Sequence, residues 1–264
     1  MEALKNDIMI DETLYEAAPD EIEATRRLFQ IVRILRRLCP WDSVQTHDSL
    51  RICMLEEAYE AVDAVINQDM DNYREELGDV MLQVVLNGII AEESGSFNLT
   101  QVINDECEKM IRRHPHIFGD AAHKDIDKIL EKWENIKGNE HGESSVSQRL
   151  ASVPKALPAL MRAGKVLTKV QRADLVPENF MEAECGAYEP REQVAARLCI
   201  VSSGLKQSLQ QGRDDLEEII GELLFLVADA ARLAGIDPEA ALNARTQRYV
   251  DHFTELEQTG RDNK

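Results

Sequence analysis

LRICMLEEAYEAVDAVINQDMDNYREELGDVMLQVVLNGII, residues 50–90, is the stretch on which the fold turns. It holds Glu56-Glu57-x-x-Glu60, then fourteen residues, then Glu75-Glu76-x-x-Asp79. Residues 52–73 contain no lysine or arginine. The pattern predicts one helix over about 48–66, capped from 46–48, and another over about 71–92. Residues three or four apart share a helix face. Folded back on each other, two such helices aim four or more carboxylates into one space. Like charges so placed repel unless a cation sits among them. A hard divalent cation, Mg2+ with Mn2+ as the alternative, takes oxygen ligands and suits the arrangement.

In the first of these helices, Leu55, Ala58, Tyr59, Val62, Val65 and Ile66 form the expected core face. Glu57 and Glu60 point away from it, beside Cys53, Ala61 and Ala64, whose small side chains let another helix come close. The second helix is apolar almost all round over 77–90, as a buried helix is. Its polar residues fall on one stripe: Asn72, Glu76, Asp79, Gln83 and Asn87. That stripe is either the solvent face of a core helix or half of a site. Solvated faces usually mix signs, and this one lacks lysine and arginine. The expected convergent set is Glu57, Glu60, Glu76 and Asp79, flanked by Glu56 and Glu75.

Outward from this pair, helical periodicity begins near Ile22 and is broken by Cys39-Pro40-Trp41-Asp42. Further helices are expected at 99–113 and 125–137. Strand signals are absent, glycine and proline are sparse, and the expected fold class is all-α. A basic cluster, Lys109, Arg112, Arg113, His114 and His116, ends one helix, and Trp133 and Lys137 share a face on the next. Singly, these are ordinary surface residues. As a set they suit a nucleotide, with cations for the phosphates and an indole to stack on a base.

Residues 1–19 read as an acidic N-terminal extension, 20–139 as the first helical domain, 140–152 as a polar linker and 153–260 as a second helical domain. Helices are expected there at 154–172, 189–210, 214–235 and 238–258, with 173–188 irregular. Glu75-Glu76-Leu77-Gly78-Asp79-Val80-Met81-Leu82 echoes Glu218-Ile219-Ile220-Gly221-Glu222-Leu223-Leu224-Phe225, which points to a duplicated unit.

The net charge is −19, which argues against binding to nucleic-acid backbones or anionic membranes. Five cysteines without a C-x-x-C pair, and no apolar stretch of signal-peptide or membrane-spanning type, point to reduced thiols in a cytoplasmic protein. HExxH, P-loop and GxSxG motifs are absent. A di-iron bundle wants Glu-x-x-His, and here the corresponding residue is Glu60 or Asp79.

The chain resembles the MazG family of nucleoside triphosphate pyrophosphohydrolases. The matching residues are Cys39-Pro40-Trp41-Asp42, Gln45-Thr46-His47-x-Ser49-Leu50, Leu55-Glu56-Glu57-Ala58-Tyr59-Glu60 and Glu75-Glu76-Leu77-Gly78-Asp79. They continue through Arg112-Arg113-His114-Pro115-His116-Ile117-Phe118 and Trp133-Glu134-x-Ile136-Lys137. Val153-Pro154-Lys155-Ala156-Leu157-Pro158-Ala159-Leu160 looks like the start of the second unit in two-domain members. The resemblance implies tandem all-α helical-bundle units, assembly into homodimers or higher oligomers, Mg2+ dependence, and hydrolysis of a nucleoside triphosphate to monophosphate and pyrophosphate. It places Glu57, Glu60, Glu76 and Asp79 on the metal. Lys109, Arg113, Trp133 and Lys137 fall on the nucleotide, with Arg112 beside them. Glu56 or Glu75 would orient or deprotonate the water.

The second unit departs from the pattern. Residues 193–212 contain no Asp or Glu, Ile219 stands where the first unit has Glu76, and Glu222 stands for Asp79. It is expected to be catalytically inactive. Two alternatives stand beside the enzyme: a non-enzymatic nucleotide- or partner-binding helical protein, and a pyrophosphohydrolase narrowed to one nucleotide, such as phosphoribosyl-ATP or a deoxynucleotide.

Overall fold

The computed structural model describes residues 10–119, 126, 129, 132, 133, 136, 138, 140, 145–172 and 190–262. Among these residues there are ten α-helices and two short 3-10 helices, and no strand. The all-α expectation therefore holds. No helix among the described residues is long and apolar enough to cross a membrane. The chain divides into two compact units, Met1–Ile129 and Leu130–Lys264.

In the first unit a 3-10 turn, Glu12–Tyr15, precedes helix α1, Glu21–Leu38. Asp20 caps α1 by accepting from the backbone N–H groups of Ile22 and Glu23, and Arg36 and Arg37 sit at the negative end of its dipole. Arg36 also binds the loop that follows. Its guanidinium donates to the carbonyls of Asp42 and Gln45 at 2.5 and 2.9 Å and to the Glu93 carboxylate at 2.9–3.1 Å. Helix α2, Leu50–Ile66, starts two residues later than expected. Thr46 and Ser49 bond each other reciprocally there, each backbone N–H donating to the other's hydroxyl, at 2.9 and 3.1 Å. Helix α3 is Met70–Glu93, α4 is Leu99–Arg113 with a capping box from Asn98 and Gln101, and α5 is the single turn Pro115–Phe118.

Residues 67–69 join α2 to α3. Asn67 ends α2, Gln68 takes a left-handed φ of 58°, and the Asp69 side chain accepts from the backbone N–H of Asn72 at 3.0 Å. So short a connection makes α2 and α3 antiparallel neighbours and sets which residues face each other. The core lies toward the other end of α3. There Val85, Leu86, Ile89 and Ile90 pack with Val32, Leu50 and Leu99. One half of α3 is thus anchored in the core while the other half carries the acids.

At Gly88, α3 lies directly against Leu99 of α4. A Cβ there would lie 2.7 Å from Leu99 Cγ and nearer still to Cδ2. Leu99 is buried and has little room to yield. Gly88→Ala is expected to destabilise the first unit by about 1–3 kcal/mol, read by chemical denaturation. Gly78, with nothing near its missing Cβ, is the contrasting site. Alanine there is expected to stabilise α3 by about 0.5–1 kcal/mol.

One expectation is reversed. Leu55, Tyr59, Val62, Val65 and Ile66 are exposed, and Leu77, Met81 and Val84 of α3 are exposed with them. The side of α2 that packs inward is the other one, with Leu50, Ala61 and Ala64 buried and Cys53 and Glu57 half-buried. The small residues win because α3 needs room to approach. The large apolar side chains are left on the outside of the hairpin.

The second unit contains α6, Val146–Ala151, α7, Ala159–Arg172, α8, Pro190–Gln211, α9, Leu216–Ala234, and α10, Pro238–Asp262. Helix α6 falls within the span read as a linker and opens with a capping box from Ser145 and Gln148. Helices α8 and α9 pack on each other and α9 packs on α7. The Glu239 carboxylate accepts from the backbone N–H of Leu160 at 3.1 Å, tying α10 to the start of α7. Val194, Leu226 and Ala228 are buried. Of the helix expected at 125–137, Ile126, Ile129, Lys132, Trp133 and Ile136 are described, and all are helical. The stretch 173–188 lies outside the described residues.

Candidate metal centre

The α2–α3 hairpin brings Glu57, Glu76 and Asp79 together, with one carboxylate oxygen of each within 4.8 Å of the others. Glu76 is only 7% exposed, and its Oε2 has no hydrogen-bond partner. A buried, unpartnered carboxylate oxygen beside two more carboxylates is a costly arrangement without a cation. The donor set, all hard oxygen, fits Mg2+ or a similar ion. Glu60 is exposed and lies outside this tight group, yet near enough for its charge to act on both Glu57 and Glu76. Glu56 and Glu75 are exposed on the flanks.

The stripe Glu76, Asp79, Gln83 is therefore not the solvent face of α3. It faces α2. Burial raises the pKa of Glu57, and the charges of Asp79, Glu60 and Glu56 raise it further, while a hydrogen bond from the Gln83 side chain works the other way. Burial likewise raises Glu76, helped by Glu60, Asp79, Glu57 and Glu75. A carboxyl whose pKa is raised by folding favours the folded state at low pH. That contribution is full below the ordinary glutamate value of 4.5 and is lost as pH rises through the raised value. The metal-free protein should therefore lose stability as the pH rises above 4.5 and through the raised values of Glu57 and Glu76. A Glu76→Gln variant should lose less, and the difference between the two isolates this site from the general charge of −19. Added Mg2+ should remove the difference. An ion at one hundred times its dissociation constant contributes about 2.7 kcal/mol. Thermal melts across pH, with and without Mg2+, check this.

One turn beyond Gln83, the Asn87 amide donates to the Gln83 backbone carbonyl at 2.8 Å, and its oxygen accepts from His47 Nδ1 at 2.8 Å. His47 thus ties the loop before α2 to the polar stripe of α3. Gln83 was legible in the sequence only as a member of that stripe. Its signal was an amide placed in an apolar run.

The basic residues stand at the end of α4. Lys109 pairs with Glu106 one turn earlier, Arg112 is exposed and Arg113 is buried. His114 closes the helix by donating from Nδ1 to the Met110 carbonyl at 2.6 Å. Trp133 is half-buried and helical, in the segment after Ile129, and Lys137 lies outside the described residues.

The hairpin of α8 and α9 has a different centre. The Arg197 guanidinium donates to the Glu222 carboxylate at 2.5 Å. Glu222 is the echo of Asp79, and Ile219 the echo of Glu76. A side-chain cation thus meets the carboxylate that the echo retains. The outer faces agree more closely. Leu77, Met81 and Val84 are exposed on α3, and Ile220, Leu224 and Val227 are exposed on α9 at the same register.

Residues 45–118 match the family described as the MazG nucleotide pyrophosphohydrolase domain. The chain is 36% identical over 236 residues to the nucleoside triphosphate pyrophosphohydrolase/pyrophosphatase MazG of Thermotoga maritima, covering 87% of this chain and 85% of that protein. It is 32% identical over 240 residues to the nucleoside triphosphate pyrophosphohydrolase of Escherichia coli (strain K12), covering 90% and 88%. Among solved structures, a mazG-related protein from Thermotoga maritima is 27% identical, with a TM-score of 0.39, and the match covers 42% of this chain and 97% of that one.

Proposed function

Because the chain belongs to the MazG family, we propose that it hydrolyses nucleoside triphosphates to the monophosphate and pyrophosphate, using the carboxylates of its first unit. The observation that carries this reading is the convergence of Glu57, Glu76 and Asp79 around the unpartnered Glu76 oxygen. These three would hold a divalent cation, with Glu60 the nearest further carboxylate. Mg2+ or Mn2+ held there supplies charge neutralisation at phosphate oxygens and makes a nearby water more acidic.

The protein's own part is positioning and proton transfer. Glu56 or Glu75, exposed beside the cluster and not needed as ligands, takes the proton of the attacking water. That water adds to the α-phosphorus and pyrophosphate leaves. Lys109, Arg112 and Arg113 neutralise the phosphates; Trp133 and Lys137, expected on the nucleotide from the sequence, lie beyond the first compact unit. The test is pyrophosphate release from a panel of nucleoside and deoxynucleoside triphosphates with Mg2+. No release from any of them would return the chain to a binding role, and release from one alone would favour the narrowed enzyme.

The second helical domain of the sequence reading, 153–260, is read as inactive, because the Arg197–Glu222 ion pair already satisfies the carboxylate that a metal would need. We infer that both units serve assembly into a homodimer or higher homo-oligomer. The exposed apolar residues of α2 and α3, and their register match on α9, support that reading. The free thiols of Cys39, Cys53, Cys107 and Cys199 support a reducing, cytoplasmic setting.

A further inference from the structure

Helix α10 runs for 25 residues from Pro238 to Asp262. Glu239 ties its start to α7, and beyond that point residues 240–258 are exposed without a break. That is about five turns of uncovered helix. Most helical stability in proteins comes from packing one face against a neighbour, and a short uncovered helix is marginal in water. Contacts within α10 supply part of the support. The Arg245 guanidinium lies 5.8 Å from the centre of the Tyr249 ring, the Tyr249 and Phe253 rings are 5.0 Å apart, and the Gln247 amide donates to the Asp251 carboxylate at 2.8 Å. Pairs of this kind contribute about 0.2–0.5 kcal/mol each and leave the apolar side chains uncovered.

Those side chains form a seam. Leu242, Tyr249, Phe253 and Leu256 are all exposed, and with Thr246 they recur at alternating spacings of four and three residues. That alternation belongs to the positions that face a partner helix in a two-stranded coiled coil. The same side of α10 carries a socket. A shallow hollow there is lined by Tyr249, Val250, Phe253, Thr254 and Glu257. Val250, Phe253, Thr254 and Glu257 stand at i, i+3, i+4 and i+7, a set of four that can receive one side chain of a facing helix.

We propose that α10 pairs in antiparallel with α10 of a second copy of this chain. This rests on the reading that the chain assembles with itself, and adds a contact separate from the α2–α3 face. The charges select both the partner and the direction. Arg245 and Arg248 come first along the helix, and Asp251, Glu255 and Glu257 follow. A parallel copy would set arginine beside arginine and glutamate beside glutamate. An antiparallel copy sets basic against acidic at both ends, and like charges side by side are what an interface avoids. With Tyr249 of each copy level with Phe253 of the other, Thr246 meets Leu256 and an aromatic pair forms twice about the two-fold axis. Arg245 comes level with Glu257, and Arg248 lies within one residue of Glu255. Asp251 comes level with itself, two residues from Tyr249 and from Phe253 and so turned away from the seam.

The experiment is photo-crosslinking of the full chain carrying Leu256→p-benzoylphenylalanine, as an equal mixture of 15N-labelled and unlabelled protein. The expected product has twice the chain mass, and its crosslinked peptides pair one label with the other. The partner peptide should come from residues 243–250, level with position 256 in the antiparallel register. A crosslink to residues 253–258 of the second copy would mean a parallel pair and would overturn the proposal. Crosslinks to any other segment, crosslinks within one chain only, or no product of twice the chain mass would do the same. In that background, Arg245→Glu with Arg248→Glu should lower the yield about tenfold. Mixing that protein with a chain carrying Glu255→Arg and Glu257→Arg should restore it. An unchanged yield in the charge-reversed protein would overturn the pairing. Should either charge variant not fold, the position of the Leu256 crosslink alone decides. Light scattering of the same samples separates the two levels of the reading. An assembled chain without the α10 crosslink keeps the homo-oligomer and loses this contact, whereas a monomeric chain loses both.

Discussion

Asparagine in place of Asp79 should lower Mg2+-dependent pyrophosphate release by about 1,000-fold, which corresponds to about 4 kcal/mol of transition-state stabilisation. Glu76→Gln should give a loss of the same order. Each substitution removes one charge from a set whose oxygens lie within 4.8 Å of one another. The remaining carboxylates hold a divalent cation more weakly and orient it less well. Neither loss should reflect unfolding. Both variants relieve repulsion among Glu57, Glu60, Glu76 and Asp79, so the metal-free proteins should melt no lower than wild type at pH 7.5. Glu222→Gln serves as the internal control. Glu222 bonds Arg197 rather than joining a carboxylate cluster, and its neutralisation should leave turnover unchanged. Steady-state pyrophosphate assays with all three variants check the set. Full activity in Asp79→Asn would end the proposal for the first unit. A loss in Glu222→Gln comparable to that in Asp79→Asn would show that the second unit contributes to turnover.

The helices were legible where local chemistry alone defines them. Helix α4 begins and ends where expected, because the Asn98–Gln101 capping box and the His114-Pro115 break are both local. The same kind of signal was present at Ser145-x-x-Gln148, where α6 opens inside a polar stretch read as a linker. The acidic spacing likewise placed Glu57, Glu76 and Asp79 together, because a short turn after Ile66 leaves few ways to pair the two helices. Less legible was which side of α2 faces α3. Periodicity reveals an apolar stripe, but it does not say whether the covering surface belongs to the same unit. Glu60 was grouped with the other three by spacing and by the family resemblance, and it is exposed, outside the tight set. Arg197 could not be singled out by its own position. Its role depends on the pairing of α8 with α9, which brings it within 2.5 Å of Glu222.

The exposed stripe predicts the strongest effect on assembly. Wild-type protein at micromolar concentration should scatter light as a particle of at least twice the 29.8 kDa chain mass. Val62→Asp should shift it toward half that mass or below. Val62 lies on the outer face of α2 between Tyr59 and Val65, all three exposed. In a two-fold contact each substitution occurs twice. An uncompensated carboxylate buried in an apolar interface costs about 3 kcal/mol. Two such groups cost about 6 kcal/mol, which weakens association by roughly 10,000-fold. Val44→Asp is the matched control. Val44 is also exposed and apolar, but it sits in the loop before α2, outside the stripe. It should leave the mass unchanged. Leu224→Asp asks the same question of α9, where the register match to Met81 places the corresponding face. A mass that falls with Val62→Asp alone assigns the contact to the first unit, and a fall with both variants assigns it to both. A monomeric wild type would reserve the stripe for a different apolar partner. Retention of the outer face at α9, beside a centre closed by Arg197, favours the result in which both variants matter. An unused apolar surface offers no stability by itself and favours aggregation, so its persistence in a unit with no such carboxylate cluster among its described residues is best explained by a face that remains covered.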